Sequence, residues 1–290
     1  MTLSFATETF IGASGNKLVA DVWGASGAPV LLLHGGGQTR HAWGATAQAI
    51  ALKNYVACSI DQRGHGDSEW ISDGRYSFEE FAKDAAEVVR NLTRRYGEEP
   101  VVIGASLGGI AALLAQEEKV FSALVLVDIT PRIDPDGVAK IHGFMRAHAR
   151  EGFATIGEAA QAVADYLPHR PKPASDEGLK KNLRLSPDGR WRWHWDPRFL
   201  EGPRNVTENR EAFESRLAQA AQRVEIRALL VRGASSDLVK EEHLRDFLKL
   251  VPHARYVDVS GARHMVAGDR NDSFSGAVLD FLAQLRAGTS

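Results

Sequence analysis

One short stretch of the sequence carries the residue pattern of a serine nucleophile. Residues 104–108 read Gly-Ala-Ser-Leu-Gly, which matches the G-x-S-x-G pattern with Ser106 at its centre. The apolar run 101–103 before it indicates a strand, and the apolar residues 107–115 after it indicate a helix. Small flanking residues suit a sharp turn, because larger side chains would clash where the backbone segments approach closely. The pattern favours Ser106 as a nucleophile on a strand-to-helix turn over a serine in an ordinary glycine-rich turn.

A serine hydroxyl needs a general base, and His264 is the predicted one. It follows the last strand candidate, residues 255–259, so its loop is expected at the sheet edge where the other strands end. His243 and His253 are interpreted instead as solvated residues of a helix and a loop.

Two aspartates compete for the role of holding the histidine. Asp237 follows the strand candidate 226–231 and completes the chain order Ser, Asp, His. Asp128 directly follows the strand candidate 124–127 and could reach the same edge, but it also fits a structural residue that caps the next turn. Chain order favours Asp237, and Asp128 stays open as the alternative acid.

Charge that develops on a substrate oxygen requires preorganised N–H donors. Residues 34–37 read His-Gly-Gly-Gly after the strand candidate 30–33 and resemble an HGGG-type oxyanion loop. The predicted donors are the backbone amides of Gly36 and Leu107. Gly35 and Trp43 are expected to line the substrate pocket on this side.

The elements that would position these residues alternate along the chain. Short apolar runs, read as buried strands, are separated by stretches with helical period, one of which opens at Ser77 and Glu80 with the spacing of a capping box. Such alternation predicts an α/β fold with a parallel sheet covered on both faces. Residues 8–23 predict an antiparallel hairpin that precedes it. The remaining strand candidate is 55–60, and the remaining helical stripes are 78–92, 244–251 and 274–285.

The alternation breaks between residues 131 and 224, which are interpreted as an inserted helical cap. The core domain would then comprise residues 1–130 and 225–290. Helices are predicted at 156–167 and 208–222, and the Trp-Arg-Trp-His-Trp run at 191–195 predicts an extended segment. Its three tryptophans could line the pocket, but the favoured interpretation is that they hold the cap together.

Composition narrows the partners. With 35 Lys and Arg against 37 Asp and Glu, no net positive charge favours nucleic acid or an anionic membrane surface. No apolar segment approaches the roughly 20 residues that span a bilayer, and the single Cys58 is expected as a small buried hydrophobe in a reduced compartment. The histidines show no cluster with metal-ligand spacing. We therefore expect a cytoplasmic protein without metal or other cofactor.

Taken together, residues 34–37, 61–68, 104–109, Asp237 and 261–264 resemble the α/β-hydrolase superfamily. The resemblance covers both ends of the chain. Within the superfamily, the sequence looks like the capped group that includes esterases, meta-cleavage-product hydrolases and cofactor-free haloperoxidases. It implies an eight-stranded, mostly parallel sheet with helices on both faces and a helical cap. It also implies a structural role for the Asp-Gln-Arg-Gly-His-Gly run at 61–66, so His65 is kept out of the site.

The resemblance implies a serine hydrolase that cleaves a carboxylic ester or related acyl compound through an acyl-enzyme. The same triad could cleave carbon–carbon bonds or perform perhydrolysis, and a non-catalytic small-molecule receptor on the same fold is the alternative of another class. Epoxide hydrolases and haloalkane dehalogenases place an aspartate where this chain has Ser106, which argues against those activities. The expected partner is a small-molecule substrate, and the protein is expected as a monomer or homodimer.

Overall fold

The structure is a computed structural model that describes residues 3–168, 176–201, 209–264 and 271–288. At its centre lies a mostly parallel sheet of eight strands, as the resemblance implies, and a two-stranded sheet occurs later in the chain. The strands in chain order are β1 (Phe5–Ile11), β2 (Lys17–Trp23), β3 (Pro29–Leu33), β4 (Val56–Ile60), β5 (Val101–Ala105), β6 (Ala123–Val127), β7 (Leu183–Leu185), β8 (Trp191–Trp193), β9 (Arg227–Gly233) and β10 (Arg255–Val259).

The large sheet runs in the order β1-β2-β4-β3-β5-β6-β9-β10. β1 pairs antiparallel with β2, which confirms the predicted hairpin, and β2 pairs antiparallel with β4. All other neighbours pair in parallel. The loops after β3, β5, β6, β9 and β10 therefore leave the sheet at one edge, the usual place for a site in such a fold.

Helices cover both faces of this sheet, as predicted. In chain order, the α-helices of the described residues are α1 (Gly44–Ala51), α2 (Phe78–Tyr96), α3 (Leu107–Ala115), α4 (Pro135–Ala147), α5 (Ile156–Tyr166), α6 (Arg210–Gln222), α7 (Glu241–Leu250) and α8 (Asn271–Arg286). Side chains of successive strand residues point to opposite faces. Leu31 and Leu33 thus join an apolar layer with α2 and α3, and Val30 and Leu32 join one with α1 and α8. Among the described helices, none has the length and apolar character needed to cross a membrane.

α2 shows how local sequence sets an element. The Ser77 hydroxyl accepts a hydrogen bond from the Glu80 amide at 3.3 Å, which satisfies a donor that the first turn leaves unpaired. At the other end Gly97 takes a left-handed conformation with φ 76° and stops the helix. The helix predicted from the capping signal and the apolar stripe is thereby confirmed.

We call residues 128–226, between β6 and β9, the β6–β9 insertion. Its described parts contain α4, α5, α6 and the hairpin of β7 and β8. α5 and α6 confirm the two helices predicted there, although residue 208 lies outside the described residues. α6 packs against α3, where the Gln116 side-chain amide donates to the Ala220 carbonyl at 2.9 Å. The division into a core and a cap at 131–224 stays a prediction.

The β6–β9 insertion is hydrogen-bonded to the run at residues 61–68. The Gly66 amide donates to the His194 carbonyl at 2.7 Å, and the Asp196 amide donates to the Gly64 carbonyl at 2.8 Å. Backbone pairing thus joins the insertion to the loop after β4.

Arg63 anchors the same run. Its side chain is fully buried, with Nε and one terminal nitrogen 2.7 and 2.8 Å from the Asp84 carboxylate on α2. The other terminal nitrogen lies 3.1 Å from Glu80. Asp84 also accepts from the Ala13 amide at 2.9 Å, so one ion pair connects the first hairpin, α2 and the loop after β4.

Replacing Arg63 by leucine should therefore destabilise the protein strongly. The Asp84 carboxylate would stay buried without its cation, a loss of about 3–5 kcal/mol in the free energy of unfolding. Urea titration measures this change. The matched control is Arg245→Leu, because Arg245 pairs with Glu241 on an exposed surface and its loss should cost less than about 1 kcal/mol. Equal effects of the two substitutions would contradict the assignment.

Candidate active site

Ser106 occupies a strained turn between β5 and α3. Its φ of 47° and ψ of −114° are rare for a residue with a side chain, and such a conformation costs of order 1–3 kcal/mol. The Ser106 amide donates to the Val127 carbonyl at 3.2 Å, and the Ser106 carbonyl accepts from the Ile110 amide at 2.9 Å. Neighbouring strand and helix therefore hold the strained residue in place.

The glycines around Ser106 are required by close backbone packing. A Cβ on Gly104 would collide with the Gly108 carbonyl, and a Cβ on Gly108 would collide with the carbonyl of Leu33 in β3. A Cβ on Gly109 would meet the Ile129 side chain. The steric reason for small residues in this motif is borne out at each of these three positions.

The glycine-rich loop after β3 lies beside Ser106. A Cβ on Gly35 would stand 3.5 Å from Ser106 Cβ, and one on Gly36 would stand 3.9 Å from Leu107 Cβ. Within the described part of the chain, the amides of Gly36 and Leu107 donate to no other group. The two predicted oxyanion donors thus lie close together, and neither amide is hydrogen-bonded within the described residues.

Two side chains fix this loop on either side of Gly36, one from the loop itself and one from the run at residues 61–68. The Gly35 amide donates to Gln38 Oε1 at 3.0 Å, and the Gly37 amide donates to His65 Nε2 at 3.1 Å. His34 Nε2 accepts from the Gln62 amide at 3.0 Å, and burial lowers the pKa of His34, which favours the neutral ring this bond needs. The His65 ring thus supports the loop by accepting a hydrogen bond from the Gly37 amide.

The β6–β9 insertion also packs on this loop, a contact that sequence reasoning missed. A Cβ built on Gly36 would lie 3.2 Å from the Phe199 ring. Met145 and Trp195 lie beside Gly37. The apolar periodicity of the insertion gave no signal that separates residues facing the loop from residues facing each other.

The carboxylate that contacts His264 belongs to Asp128. His264 Nδ1 lies 2.8 Å from Asp128 Oδ2, and the Asp128 side chain is fully buried. Asp128 follows β6 directly and has a left-handed φ of 49°. Its other oxygen, Oδ1, accepts from the Gly233 amide at 3.0 Å. The residue kept as the alternative acid is therefore the one in place to orient the imidazole.

The prediction that Asp237 holds His264 is wrong. The Asp237 side chain is about half exposed, at 49%, and its Oδ2 lies 3.3 Å from Lys140 and 3.6 Å from Arg263. The loop after β9 turns tightly, with the Ser236 amide donating to the Gly233 carbonyl at 2.9 Å. This turn directs Ser236 toward Asp128 and leaves Asp237 at the surface.

Trp43 is not placed as a pocket wall. Its side chain is buried in the layer with α1 and α8, and its ring centroid lies 5.7 Å from that of Phe274. Trp193 and Trp195 are likewise buried, and Trp193 packs edge-on against Phe153 at 5.2 Å. Trp43 and Trp193 are thus packing residues, whereas Trp195 also lies beside Gly37 of the glycine-rich loop.

The sheet order, the strained serine and the histidine–carboxylate pair at one sheet edge define the arrangement of an α/β hydrolase. A family model described as alpha/beta hydrolase fold matches residues 28–270, and the chain belongs to this family. The site residues described above lie within the matched range.

Individual relatives agree with this family. The chain is 31% identical over 261 residues to the esterase Rv0045c of Mycobacterium tuberculosis, which covers 86% of this chain and 80% of that protein. It is 25% identical over 260 residues to the 3-hydroxybutyrate-oligomer hydrolase of Cupriavidus necator, covering 86% and 87%. A solved structure of the M. tuberculosis esterase superposes with a TM-score of 0.76 at 27% identity, covering 97% of this chain and 92% of that one. These findings support a hydrolase.

The packing around Ser106 predicts a sharp difference between two glycines. Gly108→Ala should lower the free energy of unfolding by about 1–3 kcal/mol, because the new Cβ meets rigid backbone of β3. Gly44→Ala places a Cβ at the start of α1 with nothing within 4 Å, so it should leave stability unchanged or slightly raised. Denaturant titration of both variants tests this, and a tolerated Gly108→Ala would argue against the close approach of β3 and α3.

Proposed function

We propose that this protein is a carboxylic ester hydrolase that works through an acyl-enzyme on Ser106. The observation that carries the proposal is the contact of His264 with buried Asp128 at the sheet edge where the strained Ser106 turn lies. The esterase named above supports ester chemistry over other acyl reactions, because it is similar over most of both chains.

In the proposed mechanism the Ser106 hydroxyl attacks the ester carbonyl while His264 takes its proton. The carbonyl π pair moves onto oxygen, and the tetrahedral intermediate collapses with loss of the alcohol, which His264 protonates. Water then attacks the acyl-enzyme with His264 again as base, and the acid leaves with regeneration of Ser106. Asp128 keeps Nδ1 of the imidazole occupied, so that Nε2 is the nitrogen available for proton transfer.

The proposed oxyanion donors are the amides of Gly36 and Leu107. Leu107 opens α3, so its N–H belongs to the positive end of a helix. Both amides are uncommitted among the described residues, and both belong to backbone held by neighbours. Preorganised donors of this kind stabilise a developing alkoxide without reorganisation during the reaction.

Ser106→Ala should abolish hydrolysis of p-nitrophenyl butyrate. Without the hydroxyl no acyl-enzyme forms, and loss of a serine nucleophile lowers kcat by up to about a millionfold. Release of p-nitrophenolate measures the effect, and Ser235→Ala, which removes an exposed hydroxyl, serves as the control. Turnover unchanged in Ser106→Ala would eliminate the mechanism.

A fluorophosphonate probe separates an enzyme from a receptor on the same fold. A working nucleophile gives stoichiometric adduct on Ser106 by mass spectrometry, and a non-catalytic receptor gives none.

A panel of p-nitrophenyl esters of increasing acyl length, run beside a β-diketone and a peracid assay, distinguishes ester hydrolysis from carbon–carbon cleavage and perhydrolysis.

The two aspartates should behave differently on the same substitution. Asp128→Asn replaces the acceptor that sets the tautomer of His264, and the comparable change in a serine protease lowers kcat by about ten-thousandfold. Asp237→Asn removes only surface ion pairs, so kcat should stay within about twofold. Steady-state kinetics of both variants with p-nitrophenyl butyrate test this, and the reverse order of effects would restore Asp237 as the acid.

A further inference from the structure

The loop after β9 brings a hydroxyl onto the buried carboxylate of Asp128. Ser236 Oγ lies 2.6 Å from Asp128 Oδ2, the same oxygen that His264 Nδ1 contacts at 2.8 Å. The opposite oxygen is occupied by the Gly233 amide at 3.0 Å. Three donors thus surround one carboxylate, and two of them converge on the oxygen that faces the histidine.

The direction of the Ser236 hydrogen bond follows from its other contacts. The amides of Leu238 and Val239 both donate to Ser236 Oγ, at 3.0 and 3.1 Å. A serine hydroxyl has two lone pairs and one hydrogen. With the lone pairs taken up by these two amides, the hydrogen is directed to Asp128 Oδ2. Ser236 is therefore a fixed donor, and its hydroxyl has no freedom to turn to another partner.

We propose that Ser236 is a positioning residue for the reaction, acting through Asp128 on His264. An aspartate side chain rotates readily about its last torsion, which has a broad energy profile. The Gly233 and Ser236 donors hold the two oxygens of Asp128 and so fix the plane in which Oδ2 meets Nδ1. This inference rests on the proposed function, because it concerns the orientation of the proposed general base.

Ser236 also explains how the loop after β9 contributes to the site. Chain order predicts a carboxylate from this loop, and the loop instead supplies a hydroxyl while Asp237 remains at the surface. The tight turn from Gly233 to Ser236 places both donors to Asp128 on one short segment. The carboxylate from β6 and its support from β9 act as one unit.

Ser236→Ala tests the proposal by steady-state kinetics with p-nitrophenyl butyrate. Hydrogen bonds to charged groups are worth enough to predict a fall in kcat of roughly tenfold to a hundredfold. KM should change by less than about twofold, because Ser236 acts on the base and not on the substrate. Ser236→Thr keeps the hydroxyl and should recover most of the lost kcat. The neighbouring Ser235→Ala, at an exposed position, should match the wild type.

A double-mutant cycle with Asp128→Asn distinguishes positioning from a general effect on folding. If Ser236 acts through Asp128, then adding Ser236→Ala to the Asp128→Asn variant should lower kcat by less than about twofold. A cost as large as in the wild-type background would overturn the proposal, as would an unchanged kcat in Ser236→Ala. If circular dichroism shows that Ser236→Ala is unfolded, Ser236→Cys takes its place in the cycle, because a thiol is similar in size to a hydroxyl but is a weak donor.

Failure of this inference and failure of the proposed function give different results. An active wild type, a dead Ser106→Ala and a fully active Ser236→Ala would overturn only the role of Ser236. A wild type that neither hydrolyses the ester nor takes up the fluorophosphonate on Ser106 would overturn the ester hydrolase, and the role of Ser236 would fall with it.

Discussion

The site depends on a negative charge that is buried at Asp128. An ionised carboxylate removed from water is costly unless hydrogen bonds compensate it, and Asp128 is fully buried. Its donors come from two neighbouring strand ends: Gly233 at the end of β9 with Ser236 in the loop that follows, and His264 after β10. Because parallel strands bring these loops to one sheet edge, the sheet order supplies the donors that make this burial possible. The hydrogen bond that positions His264 is therefore also one of the hydrogen bonds that the buried Asp128 carboxylate requires.

Strain and pairing are repeated on neighbouring strands. Ser106 after β5 and Asp128 after β6 both adopt left-handed conformations, with φ of 47° and 49°. In each case the amide donates to a carbonyl near the end of the neighbouring strand in the sheet: Ser106 to Val127, the last residue of β6, and Asp128 to Val231 of β9. The ladder of one strand pair thus extends one residue past the strand end and holds the strained residue. The chain therefore changes direction at a residue whose amide is still hydrogen-bonded to the sheet.

The sequence predicted the parts of this site that are set locally. The Ser106 turn, its glycines and the order of strands and helices follow from steric limits and periodicity within short windows. The choice between Asp128 and Asp237 could not be made this way, because both follow strands that end at the same edge and only the path of each loop decides which turns inward. One signal was present: Asp128 follows its strand immediately, as Ser106 does, whereas Asp237 comes four residues after Gly233. Trp43 was misplaced because chain distance from the glycine loop does not say which face of the sheet a side chain joins.

The oxyanion loop couples the β6–β9 insertion to the proposed chemistry. His65 accepts from the Gly37 amide, and its ring meets Phe199 of the insertion edge-on at 4.6 Å. Phe199 also packs beside Gly36, whose amide is a proposed donor to the oxyanion. A change in the packing of Phe199 would therefore be felt at the donor through two routes, by direct contact and through His65. Substitutions that disturb this packing would then change kcat, because Phe199 and His65 both contact the loop that carries the proposed donor.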